Sequence, residues 1–202
     1  SGCIDPASAV PLAAKGASSG QRPSPVIDTT NQKLLVATED GTNGDRPTLF
    51  VCALDLSSCA AQDISVSQGV NSGYNPSAVL DGAANKVVVA TDFANAFRCD
   101  LNGTGCAYHS MSATGGTSPS ALIDPGASVL YAAVEAGTQK LGLNRCATDA
   151  TGCTSIDMSA GRPPSSGTVP SAAIDLAAQR LLVTTLDGSN GNKPALYMLG
   201  LF

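Results

Sequence analysis

Six of the chain's seven cysteines fall into pairs with a single spacing. Cys52 and Cys59, Cys99 and Cys106, and Cys146 and Cys153 are each seven residues apart, and the pairs recur every 47 residues. Thiols so spaced can oxidise to a disulfide across a hairpin turn or ligate a metal. Zinc sites collect four ligands at short spacings, whereas each pair here belongs to a separate repeat, so disulfides are expected. Closing an eight-residue loop restricts the unfolded chain by about 2 to 3 kcal/mol. Three such bridges imply an oxidising compartment: extracellular, periplasmic or cell-envelope. Cys3 is left over, because the repeat position that would pair with it is Leu199. A Gly-Cys near the start also fits the lipid-attachment site of a bacterial lipoprotein, and that alternative stays open.

Two nearly identical loops supply the next candidates. Asp40-Gly41-Thr42-Asn43-Gly44-Asp45 and Asp187-Gly188-Ser189-Asn190-Gly191-Asn192 are rich in carboxylate and amide oxygens. Hard oxygen donors suit calcium, which makes Asp40, Asp45 and Asp187 candidate metal ligands, although the order of an EF-hand loop is missing. Asp40, Asn43, Asp45, Asp187, Asn190 and Asn192, with Tyr74 as an aromatic in a neighbouring loop, form the candidate ligand-binding set. The alternative is a pair of Gly-rich hairpin turns. His109 is the one histidine. Ser110 beside it points to the opposite face of a strand, so the two make no catalytic dyad. No catalytic residue and no cofactor other than calcium is expected.

These residues sit on a repeating frame. A hexad of Pro, Ser, a small residue, two apolar residues and Asp occurs four times, at Pro23 to Asp28, Pro76 to Asp81, Pro119 to Asp124 and Pro170 to Asp175. An apolar run follows each one: Leu34 to Thr38, Val87 to Thr91, Val129 to Val134 and Leu181 to Thr185. A third run, such as Leu49 to Leu54, precedes each Cys-bracketed turn, and a short fourth segment follows it. Four strands in about 47 residues is the signature of a propeller blade, since one twisted sheet cannot bury both faces and a ring of sheets can. The recurring Asp28, Asp81, Asp124 and Asp175 end the first strand of each unit, where Asp caps a turn. Ser24, Ser77, Ser120 and Ser171 open that strand, and their small side chains would let it approach the channel axis.

The Pro-Ser-Ala-x-Ile-Asp strand followed by Leu-x-Val-Ala-Thr resembles the NHL and related lactonase-like propeller repeats. That resemblance implies the fold and carries over no functional residue. The expected architecture is all-β: a single four-bladed β-propeller over residues 1–202, with four strands per blade and repeats near 23–65, 76–112, 119–159 and 170–202. The Gly2-Cys3 segment matches Gly152-Cys153, so a strand within 3–13 is expected to complete the last blade and close the ring. A fragment of a longer propeller is the rival.

Charge excludes other classes. Net charge is −5 with eleven Lys and Arg scattered along the chain, which is not the footprint of a nucleic-acid binder. No apolar stretch is long enough to form a membrane-spanning helix. The expectation is a bacterial, non-enzymatic binding module that meets a protein or glycan at a cell surface through its loop face. A propeller enzyme of lactonase, lyase or glycosidase type, or a structural segment of a surface protein, are the alternatives.

Overall fold

A computed structural model describes residues 18–111 and 115–201. Every unit folds as an antiparallel meander, because runs such as Val87-Val88-Val89 suit a pleated sheet buried on both faces and Asp-capped turns separate them. The first sheet holds β1 (Gln21–Asp28), β2 (Lys33–Asp40), β3 (Arg46–Ala53) and β4 (Cys59–Asp63). The second holds β5 (Ser77–Asp81), β6 (Lys86–Thr91), β7 (Asn95–Asp100) and β8 (Ala107–Ser110). The third holds β9 (Thr117–Asp124), β10 (Val129–Ala136), β11 (Lys140–Ala147) and β12 (Thr154–Asp157). The fourth holds β13 (Thr168–Asp175), β14 (Arg180–Asp187) and β15 (Lys193–Gly200), three strands among the described residues.

Period-2 alternation gives each sheet a forward face, toward the next blade, and a backward face. Leu35, Ala37 and Leu49 of the first sheet pack forward on Val87, Val89 and Phe97 of the second. Val88, Ala90 and Ala96 of the second pack forward on Leu130 and Ala132 of the third. Tyr131, Ala133 and Leu143 of the third share a cluster with Leu181 and Val183 of the fourth. A side chain such as Leu49, at 0% exposure, contributes about 1.5 to 3 kcal/mol by leaving water.

The serines that open the inner strands link the blades. Ser24 Oγ accepts from Ala78 N, Ser77 Oγ from Ala121 N and Ser120 Oγ from Ala172 N, each at 2.9 Å. Their role is therefore a hydrogen-bonded clip to the next blade, rather than mere smallness at the axis. The repeating Asp residues behave as caps: Asp28 accepts from Asn31 N, Asp81 from Ala84 N, Asp124 from Ala127 N and Asp175 from Ala178 N. All three expected disulfides, Cys52–Cys59, Cys99–Cys106 and Cys146–Cys153, are formed.

Ring closure is where the structure departs from expectation. The N-terminal strand and Cys3 lie outside the described residues. Among those described, the forward face of the fourth sheet does not pack on the first, and Leu196 on it is 59% exposed. A physical reason stands in the sequence. The residue that would donate to Ser171, in the way Ala78, Ala121 and Ala172 donate to the earlier serines, is Pro25, which has no N–H.

Candidate functional site

The strands deliver four equivalent segments to the same end of the inner strands β1, β5, β9 and β13. Gly20-Gln21-Arg22-Pro23, Gly73-Tyr74-Asn75-Pro76, Gly116-Thr117-Ser118-Pro119 and Gly167-Thr168-Val169-Pro170 each lead into an inner strand. The glycine at Gly167 is forced by close approach: a Cβ there would lie 2.1 Å from the backbone N of Leu141 on the preceding blade. Two residues on, the chain must swing into the strand, and it does so through a left-handed residue before each proline. Arg22, Asn75, Ser118 and Val169 have φ of 48°, 48°, 50° and 47°. For a residue with a Cβ such a conformation costs about 1 to 3 kcal/mol, and for β-branched Val169 it is a marked outlier. These four residues and their prolines line a shallow cavity of about 310 Å³.

Three carboxylates hold this strained rim. Each lies eleven residues beyond a capping aspartate: Glu39, Asp92 and Glu135 follow Asp28, Asp81 and Asp124. Glu39 Oε2 pairs with Arg22 Nη1 at 2.7 Å and is itself almost fully buried. Asp92 accepts from Ser118 N at 2.6 Å and from Asn75 Nδ2 at 2.9 Å. Glu135 Oε2 accepts from Val169 N at 3.4 Å. Burial pushes the Asp92 carboxyl above the ordinary carboxylate range, against the bonds from Ser118 and Asn75 and the charge of Arg22; Glu135 adds to the rise. At the fourth blade the equivalent position is Leu186.

Arg22 also stacks over Tyr74, 5.6 Å from the ring centroid, and the Tyr74 hydroxyl donates to Asp45 Oδ2 at 2.9 Å. Tyr74 is thus half-buried, with its hydroxyl and one ring face engaged by Asp45 and Arg22. The twin loops are likewise occupied by their own bonds. Each forms one 3-10 turn, Gly41–Asn43 or Gly188–Asn190, ended by a left-handed glycine, Gly44 or Gly191. Asp40 accepts from Thr42 N at 3.0 Å and from Thr48 Oγ1 at 3.3 Å, while Asn43 Nδ2 donates to Asp63 Oδ2 at 2.8 Å. Asp187 accepts from the Ser189 hydroxyl and pairs with Arg162 at 2.9 Å. The Ser189 bond, opposed by burial and aided by Arg162, holds its carboxyl below the usual range. Asn190 and Asn192 are exposed. Among the described residues no group of three or more His, Cys, Asp or Glu converges as a metal site. His109 lies part-buried on edge strand β8, opposite Ala96.

A second concavity opens on the same face, beside the β10–β11 turn. It has a volume of about 450 Å³ and apolar walls from Val134, Ala136, Leu143 and Ile156. Asn144 enters it almost fully buried; its Oδ1 accepts from Ser155 Oγ at 2.7 Å, and its Nδ2 finds no protein partner.

No protein-family model and no curated protein matches the chain. Among solved structures it is similar to TolB from Acinetobacter baumannii, with 10% identity, a TM-score of 0.57, 88% of this chain covered and 40% of that one. It also aligns with BamB from Moraxella catarrhalis, with 12% identity, a TM-score of 0.49, 84% of this chain covered and 50% of that one. Both are β-propeller proteins, and the TolB likeness supports a propeller-like fold here. The chain spans half or less of the length of each.

Proposed function

We propose that the chain is a non-enzymatic recognition module, working outside the cytoplasm, that takes a protein or glycan segment of a cell surface at the proline-lined mouth where its four inner strands begin. The observation that carries this is the rim itself. Four non-glycine residues held at left-handed φ converge around one cavity, and backbone held in that region clusters at ligand clamps. Strained backbone held by the buried Glu39 and Asp92 and the half-buried Glu135 presents rigid groups to a ligand, so little ordering is needed on binding. The three disulfides fit an extracellular or periplasmic location.

The test is selection of ligands for the purified chain from a displayed random-peptide library and from a glycan array. Binders should weaken on Arg22→Ala and Asn75→Ala and keep their affinity for Thr151→Ala, a change on the opposite, disulfide-bearing end. No enriched binder, or binders indifferent to the rim substitutions, would end this proposal.

A further inference from the structure

The blades are built to one rule, and the fourth obeys only half of it. A forward-face residue lies seven positions beyond each capping aspartate: Leu35, Val88, Tyr131 and Leu182. The first three are buried against the next sheet, while Leu182 is only partly covered. On the third strand Leu49, at 0% exposure, corresponds to Leu196, and Val51, which packs in the same cluster, corresponds to Met198 at 63%. With Ala173 and Leu186, these make an apolar sheet face open to water, with Thr184 at its centre where the first blade has Ala37, and with Ser171 and Arg180 at its edges. Scattered apolar residues on a surface need no explanation, but an apolar face of this kind marks an interface.

What fits that face is written in the three interfaces already formed. At each, a forward apolar face meets a backward one, and the inner-strand serine accepts the backbone N–H of the residue after the next blade's serine. Ser171 keeps the acceptor. The chain's own first blade cannot answer it, because Pro25 stands where the donor should be, and a second copy would offer the same Pro25. The fourth blade also replaces the rim carboxylate by Leu186, so its mouth contact with a neighbour is apolar. We propose that the forward face of the fourth sheet is the seat of a further blade lying outside these residues. That partner is an antiparallel sheet with an apolar backward face and a free inner-strand N–H for Ser171 Oγ. This inference does not depend on the recognition role of the loop face.

The experiment supplies such a blade from the chain itself. Residues 54–111 are appended after Phe202, with Cys59 of the copy changed to Ser. The copy brings a fourth strand and a blade whose backward face, Val87, Val89 and Phe97, already packs on the equivalent forward face of the first sheet. Peroxide oxidation of Met198 reads coverage, with part-buried Met158 and buried Met111 as internal references. Docking should slow Met198 oxidation roughly tenfold, and Ser171→Ala or Leu196→Asp in the extended chain should restore the fast rate. Unchanged Met198 oxidation in a folded extended chain would overturn the proposal. So would a parent chain that dimerises with Met198 protected and is dissociated by Leu196→Asp, since a second copy would then occupy the face.

Discussion

Replacing Val169 by glycine should make the protein more stable while blunting its rim. Val169 sits at φ 47° and its side chain is 60% exposed, so the substitution removes a strained conformation and little buried surface. Relief of a β-branched residue from the left-handed region contributes about 1 to 3 kcal/mol. Against it, glycine costs about 0.5 to 1 kcal/mol in backbone entropy, and the covered part of the valine adds about 0.5 kcal/mol. The net is a gain near 1 kcal/mol, or about 2 to 4 °C in Tm for a chain of this size. Asn75→Gly is the counter-case at the equivalent position. Asn tolerates left-handed φ, so little strain is relieved, and its bond to the Asp92 carboxylate is lost, a charged hydrogen bond of about 1.5 to 3 kcal/mol. Thermal melts followed by circular dichroism should show the two variants moving in opposite directions. A lower Tm for Val169→Gly, or a higher one for Asn75→Gly, would refute the claim that the rim stores strain held by carboxylates.

Other outcomes follow from the same contacts. Ser24→Ala, Ser77→Ala and Ser120→Ala should each destabilise by about 1 to 3 kcal/mol in urea unfolding, because an interblade N–H loses its acceptor, whereas Ser171→Ala should stay within about 0.5 kcal/mol. Asp92 binds its proton more tightly folded than unfolded, so its contribution to stability falls as pH rises from the unfolded value of about 3.9 through the raised folded one. The difference in stability between Asp92→Asn and the parent should therefore move in favour of the variant over that window, as melts across pH would show. Calcium and a chelator should each leave the Tm within about 1 °C, since the Asp40, Asp45 and Asp187 carboxylates are engaged by their own neighbours; a calcium-dependent rise would make them a metal site.

Most of the frame was legible because it repeats. Cysteines at a constant period, the Pro-Ser hexad and its terminal aspartate each mark a fixed backbone position, and position is what repetition encodes. The serines' clips were not legible, because direction toward a neighbouring blade depends on packing between sheets. The rim carboxylates were missed for a different reason: Glu39, Asp92 and Glu135 differ in type and stand at the ends of apolar runs, the first and third within strands and Asp92 just past one, whereas the constant Asp28, Asp81, Asp124 and Asp175 draw the eye and only cap turns. Their constant offset of eleven residues was the available signal. The Gly-x-x-Pro lead-in was equally visible, yet its meaning rests on left-handed φ and on the close approach at Gly167. The closing strand expected within 3–13 lies outside the described residues, and the break in the serine clip at Pro25, which has no N–H, matters only once that clip is known.

Recognition at the mouth is tested most directly by titrating the ¹⁵N-labelled chain with the binder selected from the peptide library or glycan array and mapping amide shifts. The mouth predicts that Arg22, Asn75, Ser118 and Val169 move first, with Asn31, Ala84, Ala127 and Ala178 at the opposite turns unchanged. Shifts confined to those turns, or to the open face of the fourth sheet, would contradict it.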